Sequence, residues 1–171
     1  MRGWQRRFIG LCLPPIPFCL LDASLTLIGQ SADYWGGDYA RVNEASPTFN
    51  HLLAIHPLAF LAGIAVWLGV VVGFLLLVPD TLALIASIAV VFGHTIGAAS
   101  WLLWRFQYSY QLCNGLFLLS AVVLGLSIRY GWRAAPAEEY RMSVLAAGWR
   151  WLLAAALFGV GAYLFLWPRS S

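Results

Sequence analysis

The sequence contains no lysine: all ten of its basic residues are arginine. That excludes a Schiff-base lysine and a lysine general base. Charge of either sign is scarce, with Asp, Glu and Arg making up only 10% of 171 residues. Soluble domains carry about 25% charged residues, so too few exist here to coat a water-facing surface. Cysteine is scarce too. Cys12, Cys19 and Cys113 form no Cys-x-x-Cys pair, and all three are expected as small buried apolar residues. There is no His-Glu-x-x-His zinc motif, no Gly-x-Ser-Gly nucleophile motif and no internal repeat.

What remains is apolar. Some 61% of the residues are hydrophobic and the mean hydropathy is +0.78. Disorder is excluded, because disordered chains are poor in apolar residues. The net charge of +3 does not mark a nucleic-acid binder, since the arginines sit at the ends of apolar runs rather than in a cluster. The composition specifies an all-α, polytopic transmembrane bundle forming one integral membrane domain over residues 1–171.

A spanning helix needs about 20 mostly apolar residues. Five segments qualify: about 8–29, 57–78, 81–104, 111–130 and 144–167. They are apolar all round, unlike the short alternating strands of a membrane barrel. The first could pass for a secretory signal, but Pro14, Pro15, Pro17 and Asp22 interrupt it and Gly-Gln-Ser-Ala-Asp is a poor cleavage site. An uncleaved helix is expected, with the prolines ending or kinking a short first part. Neighbouring helices must then satisfy the freed carbonyls. Pro57 suits a first helical position, which places His56 at a helix start at the membrane edge. Pro79-Asp80 forms a tight hairpin, with Asp80 expected to cap the third helix.

Arginine counts set the expected orientation. With the N-terminus inside, Arg2, Arg6, Arg7, Arg129, Arg133 and Arg141 face the cytoplasm and Arg41, Arg105 and Arg169 the outside. Arg150 can snorkel inward, and Glu138 and Glu139 offset nearby arginines. Trp and Tyr residues fall near both boundaries, as interfacial belts do. Chain size and style fit a bacterial inner membrane. The expected partners are the lipid bilayer, other membrane proteins or further copies of the chain.

The strongly polar residues within the spans, Arg150 aside, lie in the outer half. Asp22 is roughly 12 Å below the outer surface and His94 roughly 15 Å, at 1.5 Å per residue. Thr26 and Gln30 follow Asp22 at helical spacing, making one stripe. Asn114 lies near the outer end of the fourth span. A charge at such depth costs at least about 2.5–3.5 kcal/mol, so Asp22 and His94 are expected to face each other across the first and third helices. Either a neutral hydrogen bond or an ion pair satisfies the spacing. Such a clamp, beside the small residues Gly93, Gly97 and Ser100, can act purely in helix packing.

The spacing bears on several chemistries. Haem between His56 and His94 fails, because they differ by roughly 15 Å in depth. A metal site from Asp22, Glu44, His56 and His94 is chemically possible, but no tight ligand spacing supports it and no metal is expected. A serine protease is disfavoured: Ser100 is about 600° further round the helix than His94, hence on a different face, and Ser120 lacks an obvious partner. A transporter would show repeats. The 31–56 loop compresses Asp33, Asp38, three aromatics and Gly36-Gly37, with Glu44 three residues before Pro47. It reads as an interfacial loop with turns at Gly36-Gly37 and Ser46-Pro47, or as a lid carrying Glu44 towards Asp22 and His94.

The order Leu-Leu-Asp-Ala-Ser-Leu-Thr, then Asn-Glu-Ala-Ser-Pro, then an apolar helix resembles a family of small bacterial and archaeal membrane proteins of unknown function. The matching positions are Asp22, Thr26, Gly29, Glu44 and Pro47, within residues 20–105. Ala45-Ser46 stand where that pattern has an Asn-Pro step. The resemblance implies a compact helical bundle and nothing about activity, and the cofactor stays open. The leading reading is a non-enzymatic membrane protein that is structural or interacts with other membrane components. The alternative is a small membrane enzyme or ligand- or metal-binding protein with an outward polar pocket around Asp22, Thr26, Glu44, His56 and His94. An open cavity reaching Asp22 would favour the alternative; a sealed Asp22 would favour packing.

Overall fold

A computed structural model describes residue 5, residues 7–132 and residues 151–153, 155, 156 and 159. Those residues are helical or in connecting turns, with no strand among them. The expected span 144–167 lies outside them apart from the six isolated helical positions, as do Arg133, Glu138, Glu139, Arg141, Arg150 and Arg169. Four described helices are long and apolar enough to cross a membrane: Phe8–Ile28, Pro57–Leu77, Asp80–Arg105 and Tyr110–Arg129. Their outward faces carry large apolar side chains such as Leu58, Val66, Ile85, Phe92, Leu118 and Leu126. A surface of that kind is suited to lipid and not to water.

The first span begins as a π-helical turn, Phe8–Cys12, and continues as α1, Pro15–Ile28. The prolines explain the change. Pro15 has no N–H for the carbonyl of Leu11, and the hydroxyl of Ser87 supplies that bond instead at 2.7 Å. The 31–56 segment is not a plain loop. It holds a one-turn helix, α2 (Ala32–Trp35), and a nine-residue helix, α3 (Pro47–Ile55). Gly36 and Gly37 do turn the chain, and Gly37 takes φ +105°, which suits glycine. Ser46-Pro47 begins α3 rather than forming an isolated turn. Pro47 sits where a helix needs no N–H, and Phe49 and Leu53, four residues apart, bury one face.

Helix α4 (Pro57–Leu77) starts at His56, whose backbone is extended and whose Nδ1 accepts the Leu58 N–H at 3.1 Å. After Val78-Pro79 the chain reverses into α5 (Asp80–Ser100), which ends in a π-helical turn, Trp101–Arg105. Helix α6 (Tyr110–Trp132) completes the described bundle. Asp80 is the first residue of α5, not its cap, and makes no capping bond. It pairs instead with Arg7 at 2.9 Å. Arg7 also donates to the carbonyls of Leu75 (2.8 and 3.1 Å) and Val78, closing the end of α4.

These contacts fix the directions. Arg7 holds the start of the first span against the α4–α5 hairpin. At the opposite end, Arg105 donates to the carbonyl of Gly29 at 2.8 Å. The ring of Trp101 lies so close over Gly29 that a Cβ there would collide with it. Helix α1 packs most extensively on α5, and α3 lies along α4. One apolar cluster joins Cys19 and Ala23 of α1 to Tyr34, Phe49, Leu53, Phe60 and Ile64, so the 31–56 segment is folded onto the bundle.

Candidate functional site

Asp22 on α1 and His94 on α5 meet, with Asp22 Oδ2 and His94 Nδ1 2.8 Å apart. Their side chains are 20% and 11% exposed, so neither is fully sealed. The approach depends on Gly97, one turn beyond His94. A Cβ at Gly97 would stand 2.6 Å from both carboxylate oxygens of Asp22 and 2.8 Å from its Cγ. Gly93 differs: a Cβ there meets nothing within 4 Å. Ser100 bonds the carbonyl of Gly97 at 2.6 Å. The small-residue series is therefore not one uniform seam, since only Gly97 lies against the Asp22 side chain.

A third residue decides the form of the pair. Trp67 on α4 donates its indole N–H to His94 Nε2 at 3.1 Å. Indole can only donate, so Nε2 must carry a lone pair and the proton of a neutral imidazole sits on Nδ1. His94 then donates to Asp22 Oδ2. The alternative between hydrogen bond and ion pair resolves to a neutral histidine bonded to a carboxylate oxygen. Trp67 was not among the residues expected at the site. A signal existed, for it stands ten residues inside α4, away from both aromatic belts, and a buried indole N–H needs an acceptor.

Glu44 approaches the same place from the 31–46 segment. Burial raises its carboxyl pKa above the usual glutamate value, and nearby Asp22 pushes it further up. Bonds from the backbone of Ser46 and Ala45 and from the Thr26 side chain oppose that rise. The Ser46 N–H lies 2.8 Å from Glu44 Oε1. Gln30 holds this segment. Its amide donates to the Asn43 carbonyl (2.9 Å) and accepts the Asn43 N–H (2.9 Å), while a further bond reaches the Thr26 carbonyl (2.8 Å). Asn50 donates to the Glu44 carbonyl at 2.9 Å. The stripe Asp22, Thr26, Gln30 thus divides its work: Asp22 and Thr26 face the site, and Gln30 pins the segment carrying Glu44.

These groups border a cavity of about 1130 Å³. Asp22, Thr26, Glu44 and His94 line one part; from there it continues as an apolar trough between α4 and α5. Val71, Phe74 and Leu75 line one side of the trough, and Ala86, Ala89 and Val90 the other. Trp101, Trp104 and Arg105 border the end nearest Gly29. Arg105 was expected only as a boundary charge. Nothing in the sequence signals that it reaches back to α1.

Two expected residues do not join. His56 is exposed at the start of α4, edge-on to Tyr39 with ring centres 5.3 Å apart, and does not line the cavity. Its ring nitrogen is committed to the helix start, as its position before Pro57 requires. Asn114 is exposed on α6 and is not part of the cavity either. Among the described residues no group of three or more His, Cys, Asp or Glu side chains is placed to hold a metal. Of the positions carrying the family resemblance, Asp22, Thr26 and Glu44 line the cavity, Gly29 admits Trp101 and Pro47 opens α3. Comparison of the chain with known families, characterised proteins and solved structures finds no match.

Proposed function

We propose that this multi-pass membrane protein binds an amphipathic small molecule or lipid. Its polar head would occupy the part of the cavity bordered by Asp22, Thr26, Glu44 and His94, with its tail in the trough between α4 and α5. The observation that carries this reading is the continuity of one cavity from a carboxylate-bearing end into an apolar run. Ligand sites are mostly apolar with a few convergent polar groups that fix orientation. A packing role alone calls for an Asp22 enclosed by protein, whereas Asp22 borders open space.

Binding is favoured over catalysis by the state of His94. Both ring nitrogens are engaged, one by Asp22 and one by Trp67. No ring nitrogen is left to take a proton from a substrate. The reading keeps the protein non-enzymatic and makes a membrane component its partner. The arginine distribution supports an N-terminus in the cytoplasm and a cavity end near Gly29 on the far side. A single cysteine at Asp38, in a background lacking the native cysteines, should then react with an impermeant thiol reagent added to intact cells.

The test of binding is direct. The full chain is purified in mild detergent and extracted, and retained amphiphiles are identified by mass spectrometry. The comparison variants are Gly93→Leu and Ala89→Phe, which place bulk in the cavity. Expected is an amphiphile retained by the wild type and depleted in both variants. Equal recovery from all three proteins would refute the reading.

A further inference from the structure

We infer that the occupant of this cavity is a single-chain amphiphile with a cationic head, an amine or quaternary ammonium, seated against Asp22. This rests on the amphiphile-binding reading above and adds the sign of the head group.

The argument begins with the Trp67 bond. Because the indole holds His94 as a neutral imidazole, the residue that touches Asp22 brings no positive charge to it. Thr26 directs its side chain to Glu44. Among the described residues the nearest cation bordering the cavity is Arg105, and its Nε is bound to the carbonyl of Gly29. Gly29 lies seven residues from Asp22, roughly 10 Å along the helix at 1.5 Å per residue. A carboxylate in an apolar environment requires a compensating partner. The cavity leaves room for one, and a second carboxyl group, Glu44, borders the same space.

The surroundings suit such a head. Phe49, Phe60 and Trp67 line this part of the cavity, and aromatic faces attract ammonium groups through their quadrupoles. The trough suits the tail. From His94 down to Leu82 is twelve residues, roughly 18 Å of apolar wall at helical rise. That is the shape of one extended chain. An anionic head would instead meet two carboxyl groups.

The test uses the full chain in nanodiscs of zwitterionic lipid, with empty nanodiscs subtracted. Three probes share one chain and differ in the head: cetyltrimethylammonium, cetyl alcohol and cetyl phosphate. Expected is binding of the ammonium about tenfold or more tighter than the alcohol, a difference of about 1.4 kcal/mol. The phosphate should bind weakest. Asp22→Asn should abolish the ammonium preference, bringing ammonium and alcohol to equal binding. Glu44→Gln, which leaves the Asp22–His94 pair intact, should reduce the preference partly and serves if Asp22→Asn fails to fold. Equal binding of the three probes, all lost in Gly93→Leu, overturns the cationic assignment and leaves the amphiphile reading standing. Tightest binding of the phosphate, lost in Arg105→Gln, overturns it in favour of an anionic head. Binding of none of the probes overturns both.

Discussion

Gly97 and Gly93 stand one turn apart on α5, and the same substitution should act on them with opposite sign. Replacing glycine with alanine inside a helix stabilises by about 1 kcal/mol through propensity. At Gly93 nothing opposes that gain, because a Cβ meets open space. At Gly97 the Cβ would stand 2.6 Å from both Asp22 oxygens. The carboxyl group would have to move by most of an ångström, although Oδ2 is held 2.8 Å from His94. Overpacking of this kind costs about 1–3 kcal/mol. Loss of a hydrogen bond to a charged group costs about 1.5–3 kcal/mol. The sum exceeds the propensity gain, so Gly97→Ala should lose about 1.5–5 kcal/mol relative to wild type while Gly93→Ala exceeds it. The assay is thermal denaturation in one detergent, read by circular dichroism. Nitrogen NMR of the histidines provides the local check: the His94 signals should shift in Gly97→Ala and hold in Gly93→Ala. If Gly97→Ala were as stable as Gly93→Ala with the His94 signals unmoved, the close seat of Asp22 on α5 would be wrong.

Three further outcomes follow from separate contacts. Trp67→Phe removes the donor to His94 Nε2; it should cost about 0.5–1.5 kcal/mol, and nitrogen NMR should show His94 exchanging between tautomers where the wild type holds its proton on Nδ1. Arg7→Gln should destabilise far more than Asp80→Asn. The arginine is 9% exposed and closes the carbonyls of Leu75 and Val78, whereas Asp80 is 54% exposed and its pair is worth at most about 1 kcal/mol. Glu44 gives a pH signature. Its pKa is raised in the folded protein, so the fold binds that proton more tightly than the unfolded chain does. Its contribution is fully present below the ordinary glutamate value of about 4.3 and is lost as pH rises through the raised value. Glu44→Gln should flatten the slope of melting temperature against pH between the ordinary and the raised value; an unchanged slope there would rule out this assignment.

How much could be read from the residues differs by position. Asp22 and His94 were legible because depth along a spanning helix follows from counting residues, and a polar group at that depth needs a partner. Glu44 was singled out only in the second reading of its segment, as a residue carried towards Asp22 and His94; the structure places it on the lining of the cavity that they share. Helix α3 was not legible. Its nine residues are too short to span a membrane, and only the surface formed by Cys19, Ala23, Phe60 and Ile64 gives Phe49 and Leu53 somewhere to bury. His56 was legible as a helix start from its place before Pro57, and its backbone and ring nitrogen take that role rather than the pocket role also offered for it.

Composition and spacing alone determined that the chain is an all-helical protein with membrane-spanning segments, where the four described spans begin and end within a few residues, and that Asp22 needs company. These follow from local rules, since hydrophobic length and proline position act within one segment. Only the tertiary structure decided that Trp67 makes His94 neutral, that Gly97 and not Gly93 receives Asp22, and that the cavity stays open between α4 and α5. Those depend on how helices distant in sequence rotate about their axes against one another, and a helical run that is apolar on every side carries no mark of which side will face its neighbour.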